Sequence, residues 1–242
     1  MSDALTARQT QILKVIIDEH IESANAVGSE NLEKKYNLGI SSATVRNEMV
    51  LLTKMGYLRQ AHTSAGRLPT PKGMKFYINQ LMEEKQMSLT DEVKTKEDVW
   101  DSRRDLDKLM EEATQALAER TGSLSVSVLD DGRSWHAGLA NVFESPEFAD
   151  LGMCASVFTF IEEAKRMNDF FFSRFPWTSS VEVMFGEDLG WPEFEPLGIA
   201  ATHFSAMGHK GAIGIIGPMR LKYPYVIPVL RYFGNLVEEV TK

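Results

Sequence analysis

The sequence predicts a multidomain α+β protein, in which a small helical domain with a basic hairpin precedes a larger α+β domain. Apolar residues recur at helical spacing through residues 1–85, whereas residues 86–104 are charge-rich with few apolar positions. Beyond them, alternating strands are interspersed with amphipathic helices. We therefore expect an N-terminal domain at 1–85, a charged linker or solvated helix at 86–104, and a C-terminal domain at 105–242.

Length and composition indicate a globular protein. The chain has 242 residues, of which 43% are hydrophobic, enough for packed cores in one large or two ordinary domains. It has neither a run of about 18 apolar residues nor an apolar N-terminal stretch typical of a signal peptide. We expect a cytoplasmic protein without membrane contact. A single cysteine, Cys154, excludes an internal disulfide and a cysteine-based zinc site, and its apolar neighbours predict a buried thiol.

Charge is distributed unevenly. The net charge of −8 argues against a polyanionic partner, because Lys and Arg supply most of the affinity for nucleic acid. However, residues 1–85 carry 11 Lys or Arg against 9 Asp or Glu, a net charge of +2, and the remainder carries −10. Between positions 40 and 75 a single acid, Glu48, accompanies six basic residues: Arg46, Lys54, Arg59, Arg67, Lys72 and Lys75. This cluster is a candidate footprint for nucleic acid.

Two helices are predicted before the basic cluster. Thr6 and Gln9 have the spacing of a capping box, and the apolar residues behind them predict a first helix over 6–23. After a turn at 25–28, Ser29 is a candidate N-cap for a short second helix. The second helix would bury one face, formed by Leu32, Tyr36 and Leu38.

A third helix is expected after Ser41 and Ser42, either of which can cap it. Val45, Met49 and Leu52 form one apolar stripe, and the opposite face carries Ser42, Thr44, Arg46, Asn47 and Lys54. Most of these polar residues lie near the helix N-terminus, the end that a recognition helix inserts into the major groove. Arg can pair with guanine, Asn with adenine, and hydroxyls with phosphates or base edges. The sequence leaves open which residue reads a base.

A small basic hairpin follows the third helix. Gly56 ends the helix, residues 57–60 and 67–70 have strand character around a turn at 62–66, and Pro71 begins a fourth helix. This order is typical of a winged helix-turn-helix, with His62, Thr63 and Arg67 as wing contacts to duplex DNA. A winged helix can also serve as a protein-docking module without a DNA role. Confinement of the basic cluster to the third helix and hairpin favours DNA.

Several motifs resemble the HrcA family of bacterial heat-inducible transcription repressors. They are Val27-Gly28-Ser29, Gly39-Ile-Ser-Ser-Ala-Thr-Val-Arg-Asn-Glu-Met49, Gly56-Tyr-Leu58, and His62-Thr-Ser-Ala-Gly-Arg67 with Pro69-Thr70 and Lys72-Gly73. The resemblance implies a homodimer on an inverted-repeat operator upstream of chaperone genes, released on heat shock, with the chaperonin as a partner. The predicted DNA-binding residues are Ser41, Ser42, Thr44, Arg46, Asn47, Lys54, His62, Thr63 and Arg67.

The C-terminal half also resembles the family, with one departure. The shared motifs are Gly138-Leu-Ala-Asn141, Pro146-Glu-Phe148, Gly186-Glu187 and Gly214-Ile-Ile-Gly-Pro-Met-Arg220 with Tyr223. Known members are longer and have a GAF-like domain interrupted by an inserted dimerisation domain. Here residues 125–129 run almost directly into Gly138, so the chain resembles a shortened form without the insert.

The pattern of the C-terminal half predicts an antiparallel α+β sheet of GAF-like type. An amphipathic helix is expected over 105–120, an apolar helix over 156–172 and a closing helix over 223–240. Strands are expected at 124–129, 181–185, 198–207 and 211–216, the last two joined by a turn at 207–211.

Catalytic chemistry is not indicated. Gly211, Gly214 and Gly217 lie inside an apolar strand rather than at a strand-to-helix turn, so they predict strand packing instead of a dinucleotide loop. Histidines are scattered, and no catalytic constellation or metal-ligand spacing is present. We expect a non-enzymatic protein without cofactor or metal. Besides the repressor, a ligand-responsive regulator with the C-terminal domain as small-molecule sensor and a protein-docking adaptor remain as alternatives.

Overall fold

The computed structural model describes residues 5–60, 66–191 and 194–242 of a mixed α+β chain. These residues divide into two compact units, Met1–Glu83 and Glu84–Lys242. Within the described ranges, no helix combines the length and apolar character needed to cross a membrane.

The N-terminal unit consists of helices and one hairpin. Its elements are helix α1 (Ala7–Ser23), α2 (Ser29–Lys35), α3 (Ser42–Lys54), strands β1 (Leu58–Gln60) and β2 (Arg67–Pro69), and helix α4 (Pro71–Phe76), which continues as a π-helical turn (Tyr77–Leu81). The capping box predicted for α1 is confirmed, since Thr6 and Gln9 exchange backbone-to-side-chain hydrogen bonds of 3.0 and 3.2 Å. Ser29 is the first residue of α2 rather than its N-cap, because the extended residue that precedes the helix is Gly28.

A buried carboxylate joins the first two helices. Glu19 of α1 is almost inaccessible to solvent and accepts hydrogen bonds from Lys35 Nζ at 2.6 Å and Tyr36 hydroxyl at 3.0 Å, both at the end of α2. Asn31 Nδ2 is a third, longer donor at 3.4 Å. The hydrogen bond from Lys35 is the largest cause that lowers the pKa of Glu19 below its ordinary value. The charged form therefore holds α2 against α1.

We expect Glu19→Ala to lower the free energy of unfolding by about 1–3 kcal/mol at pH 7, because the hydrogen bonds that this buried carboxylate accepts from Lys35 and Tyr36 are lost. Since the folded-state pKa is depressed, the wild-type contribution is complete above the unfolded pKa of about 4.3 and is lost as pH falls through the folded pKa. Urea unfolding of both proteins between pH 7 and pH 3 measures this difference. The control Glu22→Ala removes a 66% exposed carboxylate that also contacts Lys35, and we expect it to cost less than about 0.5 kcal/mol. Equal losses for the two variants would contradict this account.

The C-terminal unit alternates helices with a five-stranded sheet. Its elements are α5 (Leu89–Trp100), α6 (Leu106–Thr121), β3 (Leu124–Leu129), β4 (Ser134–Ala137), two 3₁₀ turns (Leu139–Glu144 and Pro146–Ala149), α7 (Leu151–Glu162), α8 (Ala164–Asp169) with a π-helical turn (Phe170–Arg174), β5 (Val181–Phe185), α9 (Gly186–Leu189), β6 (Leu197–Ala206), β7 (His209–Pro218) and α10 (Tyr223–Val240).

The sheet is antiparallel throughout, with strand order β4-β3-β7-β6-β5. Its longest pair, β6 and β7, is joined by Met207 and Gly208, which both adopt positive φ as a tight hairpin turn requires. This turn is shorter than the predicted 207–211, because pairing continues to Ala206 and His209. Gly214 of β7 packs closely, since a Cβ there would lie 2.6 Å from Ala200 O, in agreement with the prediction of strand packing.

The helix predicted over 156–172 is interrupted. Glu163 leaves the helical conformation, with φ −85° and ψ 82°, and separates α7 from α8. Aromatic rings from both sides of this break pack together, since the ring centroid of Phe160 lies 5.5 Å from that of Phe170 and 5.8 Å from that of Phe194. Helical periodicity alone predicted one continuous helix, because periodicity reports the spacing of apolar residues and not the backbone conformation of a single residue.

Residues 86–104 contain the helix α5 within the C-terminal unit. Val99 is fully buried, Arg120 of α6 donates to Asp91 at 2.9 Å, and Tyr232 of α10 donates to the Glu92 carbonyl at 2.7 Å. Of the two predicted forms of this segment, the structure shows a helix, and one face of it is packed rather than fully solvated. Cys154 is buried as expected, and its thiol donates to the Phe148 carbonyl at 3.1 Å.

Candidate nucleic-acid interface

Helix α3 is held with one face inward. Val45, Met49 and Leu52 are all buried, as their spacing predicted. Ser41 is the N-cap: its Oγ accepts from Thr44 N at 3.3 Å and lies 3.1 Å from Thr44 Oγ1. These two hydroxyls are therefore partly engaged within the first turn of the helix.

The outward face of α3 presents a cation and an amide. Arg46 and Asn47 are exposed, in the second turn of the helix. The contact of Arg46 is weak, because its Nη2 is 4.0 Å from Glu30 Oε1 and both side chains are mostly exposed. Both groups can therefore turn toward an external partner.

The remaining predicted contact residues of α3 differ in their exposure to solvent. Lys54 is exposed at the helix end, whereas Ser42 and Thr44 are half-buried. Val50 and Leu51 are exposed as well, although apolar, and sequence reasoning missed them as candidate contacts. The sequence could have predicted their exposure, because they fall outside the buried stripe of Val45, Met49 and Leu52. Apolar side chains on a recognition surface can contact thymine methyl groups.

The hairpin brings Arg59 to the surface. In the antiparallel pair, Leu58 faces Pro69, Arg59 faces Leu68 and Gln60 faces Arg67. Leu58 is buried, so alternation along the strand directs Arg59 outward, and its side chain is exposed. Arg59 was part of the basic cluster but not of the predicted contact residues. The buried Leu58 beside it was the signal that could have added it.

Arg67 is a structural link as well as a candidate contact. Its backbone pairs with Val27 through two hydrogen bonds of 2.9 Å, and its Nε donates to Thr53 Oγ1 at 3.2 Å. The side chain is half-buried, since it also reaches the Gly66 carbonyl at 3.3 Å. Arg67 thus ties the hairpin to α3 and to the turn before α2.

Lys72 is likewise engaged inside the unit. Its Nζ donates to the Met55 carbonyl at 2.8 Å and lies 4.5 Å from the centre of the Tyr57 ring. A lysine at the C-terminal carbonyls of α3 also complements the helix dipole. The six cations of the predicted cluster therefore have different roles: Arg46, Lys54, Arg59 and Lys72 are exposed, although Lys72 is held by Met55, and Arg67 and Lys75 are half-buried. The predicted wing residues His62 and Thr63 lie outside the described residues.

The described residues do not form a metal site. Across residues 5–60, 66–191 and 194–242, no group of three or more His, Cys, Asp or Glu side chains could hold a metal ion. The arrangement of α3 and the hairpin instead offers exposed cations and an amide on one small, mostly helical unit.

An exposed cationic helix beside a basic hairpin is an arrangement typical of nucleic-acid-binding proteins. The chain belongs to the HrcA family: the family model described as HrcA protein C terminal domain matches residues 38–227. The resemblance stated from the sequence motifs is thereby confirmed.

Curated relatives carry the name heat-inducible transcription repressor HrcA. The protein from Clostridium acetobutylicum is 46% identical over 115 residues, which cover 47% of this chain and 34% of that protein. The match thus spans about a third of that relative. The protein from Carboxydothermus hydrogenoformans is 24% identical over 334 aligned positions, covering 96% of this chain and 97% of that protein. These names are of repressors rather than enzymes, which confirms the prediction of a non-enzymatic family.

A solved structure shares the fold. A crystal structure at 2.2 Å resolution, described as that of a hypothetical protein, has a TM-score of 0.76 and 18% sequence identity, covering 98% of this chain and 99% of that chain.

The relative from Carboxydothermus hydrogenoformans aligns over more positions than the 242 residues of this chain, so it carries segments that this chain lacks. In this chain β3 and β4 are joined by the short turn 130–133.

Proposed function

We propose that the protein is a sequence-specific transcription repressor of heat-shock genes, which binds an inverted-repeat operator as a homodimer. The observation that carries the proposal is α3, whose inward face is buried and whose outward face presents Arg46 and Asn47. Family membership supports the repressor role, because curated members are named heat-inducible transcription repressors.

In this proposal residues 1–85 form a winged helix-turn-helix domain. The helix α3 enters the major groove and the hairpin of β1 and β2 lies along the phosphate backbone. Residues 105–242 form a GAF-like regulatory and dimerisation domain, and the chaperonin is a partner that the family resemblance implies. A two-fold symmetric dimer presents its two recognition helices about 34 Å apart, one turn of B-DNA, or a multiple of that distance.

Selection of bound sequences from a pool of random duplexes tests this function directly. We expect enrichment of an inverted repeat, because two copies of α3 related by a two-fold axis read the same half-site on opposite strands. A bound half-site without symmetry would contradict the dimer but retain the recognition helix. Absence of any enriched duplex would contradict DNA recognition and favour the protein-docking alternative.

The hairpin allows a comparison of two arginines. We expect Arg59→Ala to reduce the salt dependence of DNA binding by about one unit of slope, because an exposed cation that neutralises one phosphate releases about one counterion. Retardation of one duplex at several salt concentrations measures the slope.

Arg67→Ala is the matched comparison, and we expect it mainly to lower the melting temperature, since this side chain bonds to Thr53 and Gly66. A changed sequence preference for Arg59→Ala would make Arg59 a base-reading residue. An unchanged slope would remove the hairpin from the DNA contact.

A further inference from the structure

Helix α5 leaves an apolar stripe exposed to solvent. Leu89, Val93 and Trp100 are 79%, 58% and 43% exposed and lie at positions i, i+4 and i+11, on one side of the helix. Thr95 and Val99 on the other side are buried. Lone exposed apolar residues need no explanation, but three aligned large ones on one helix indicate an interaction surface.

Charged residues of both signs lie along the same stripe. Lys96 and Glu97 are at its centre, between Val93 and Trp100. Lys96 is 39% exposed, donates to Glu239 at 2.7 Å and lies 5.6 Å from the Trp100 ring, whereas Glu97 is exposed. With Leu89, these residues form what we call the α5 face: Leu89, Val93, Lys96, Glu97 and Trp100.

We propose that the α5 face binds the α5 face of a second copy of this chain, with the two helices antiparallel across a two-fold axis that passes between Lys96 and Glu97. The inference rests on the proposed function in one respect, because it supplies the interface of the homodimer that an inverted-repeat operator requires. This interface lies on α5, just before the proposed dimerisation domain at 105–242 and in the same compact unit. A second copy suits this surface because Lys96 and Glu97, which lie side by side on it, carry opposite charges.

The two-fold geometry pairs the residues favourably. In an antiparallel pair centred between positions 96 and 97, Lys96 faces Glu97 of the second copy and the reverse contact is identical, as in any isologous interface. By the same register Val93 faces Trp100 of the second copy. A parallel arrangement in the same register would place Lys96 against Lys96 and Glu97 against Glu97, so like charges oppose it.

The surface also has space for the opposing side chains. A shallow cavity of about 470 Å³ is lined by Val93, Lys96, Glu97, Trp100 and Asp101. It can receive the Val93 side chain of the second copy beside Trp100. One twelve-residue helix buries less than the approximately 800 Å² per partner of a standard interface, so the free dimer should dissociate on dilution.

Charge reversal on the full-length chain tests the interface. Sedimentation without DNA over a range of concentrations is expected to show a monomer–dimer equilibrium for the wild type. Glu97→Lys places two lysines face to face at both symmetric contacts, and we expect about a tenfold weaker dimer. Lys96→Glu combined with Glu97→Lys restores opposite charges, and recovery to near the wild-type dissociation constant is expected.

Several results would overturn the proposal. They are a monomeric wild type, an unchanged dissociation constant for Glu97→Lys, and a double variant as weak as Glu97→Lys whose melting curve matches the wild type. The double variant also loses the ion pair of Lys96 with Glu239, so a second measurement covers the case in which it is unstable.

Disulfide trapping supplies this second measurement. Val93→Cys and Trp100→Cys proteins, mixed and oxidised, are expected to form a cross-linked heterodimer, because the two positions face each other. Val93→Cys alone is expected to cross-link poorly, since its two copies are offset by about 10 Å along the helices. The buried Cys154 does not compete. Equal cross-linking in the mixture and in the single variant would contradict the register.

Failure of this interface and failure of the proposed function are distinguishable. Self-association is measured without DNA, whereas DNA recognition is measured by selection and by Arg46 variants. A protein that selects an inverted repeat yet fails the charge reversal dimerises through another surface. A protein that passes the charge reversal but selects no duplex uses this dimer for something other than an operator.

Discussion

Arg46→Ala is expected to weaken binding to the selected operator about 10- to 100-fold and to leave the melting temperature unchanged. Arg46 projects outward from α3, and its 4.0 Å contact with the exposed Glu30 contributes little to stability. A bidentate contact of arginine with guanine is worth about 1–3 kcal/mol of discrimination. Retardation of the operator duplex at fixed salt, together with a melting curve, measures both quantities.

Arg46→Lys separates base reading from charge. Lysine retains the positive charge but cannot form the two-point contact of a guanidinium, so we expect the salt slope to persist while the preference for operator over random duplex falls. Operator binding by Arg46→Ala at the wild-type level would reject α3 as the recognition helix. Loss of binding accompanied by a lower melting temperature would instead indicate a structural role for Arg46.

Phe160→Ala is expected to lower the free energy of unfolding by about 3–5 kcal/mol. The ring is fully buried and makes edge contacts with Phe170 and Phe194 and a tilted contact with Trp191, each with centroids 5.5–5.8 Å apart. Truncation removes the buried aromatic surface and leaves a cavity that the surrounding rings cannot fill completely. Urea unfolding followed by tryptophan fluorescence measures the loss, because Trp191 reports on this core.

The matched control for Phe160 is Phe143→Ala. The Phe143 ring is 62% exposed, although it has an edge contact with Phe158 at 6.3 Å, and we expect a change of about 0.5 kcal/mol or less. Similar losses for the two variants would mean that position in the core does not determine the cost. A loss of less than about 1 kcal/mol for Phe160→Ala would contradict the view that α7 and α8 bend to close an aromatic core.

Local patterns in the sequence determined most of the elements of this protein. The bounds of β3, β5 and α10 agree with those predicted, and α1 and α3 begin where the capping residues Thr6 and Ser41 indicate. Caps, turns and alternation depend on residues within a few positions of each other, so one sequence is sufficient to identify them. Strand β4 was missed, because Ser134–Ala137 is too short and too polar for a periodic signal.

The tertiary structure decided how individual side chains are used. Arg59 and Arg67 look equivalent in the sequence, yet one is exposed and the other bonds to Thr53, fourteen positions away. Likewise, Val93 and Val99 are both apolar residues of the charged segment at α5, yet Val93 is exposed and Val99 is buried. Only packing against helices far away in the sequence decides which of them is buried. The sequence by itself determined where the cationic helix and hairpin lie and which family they indicate. Which cations are free to bind, where the apolar helix bends and which face of α5 stays open depend on contacts between residues far apart in the chain.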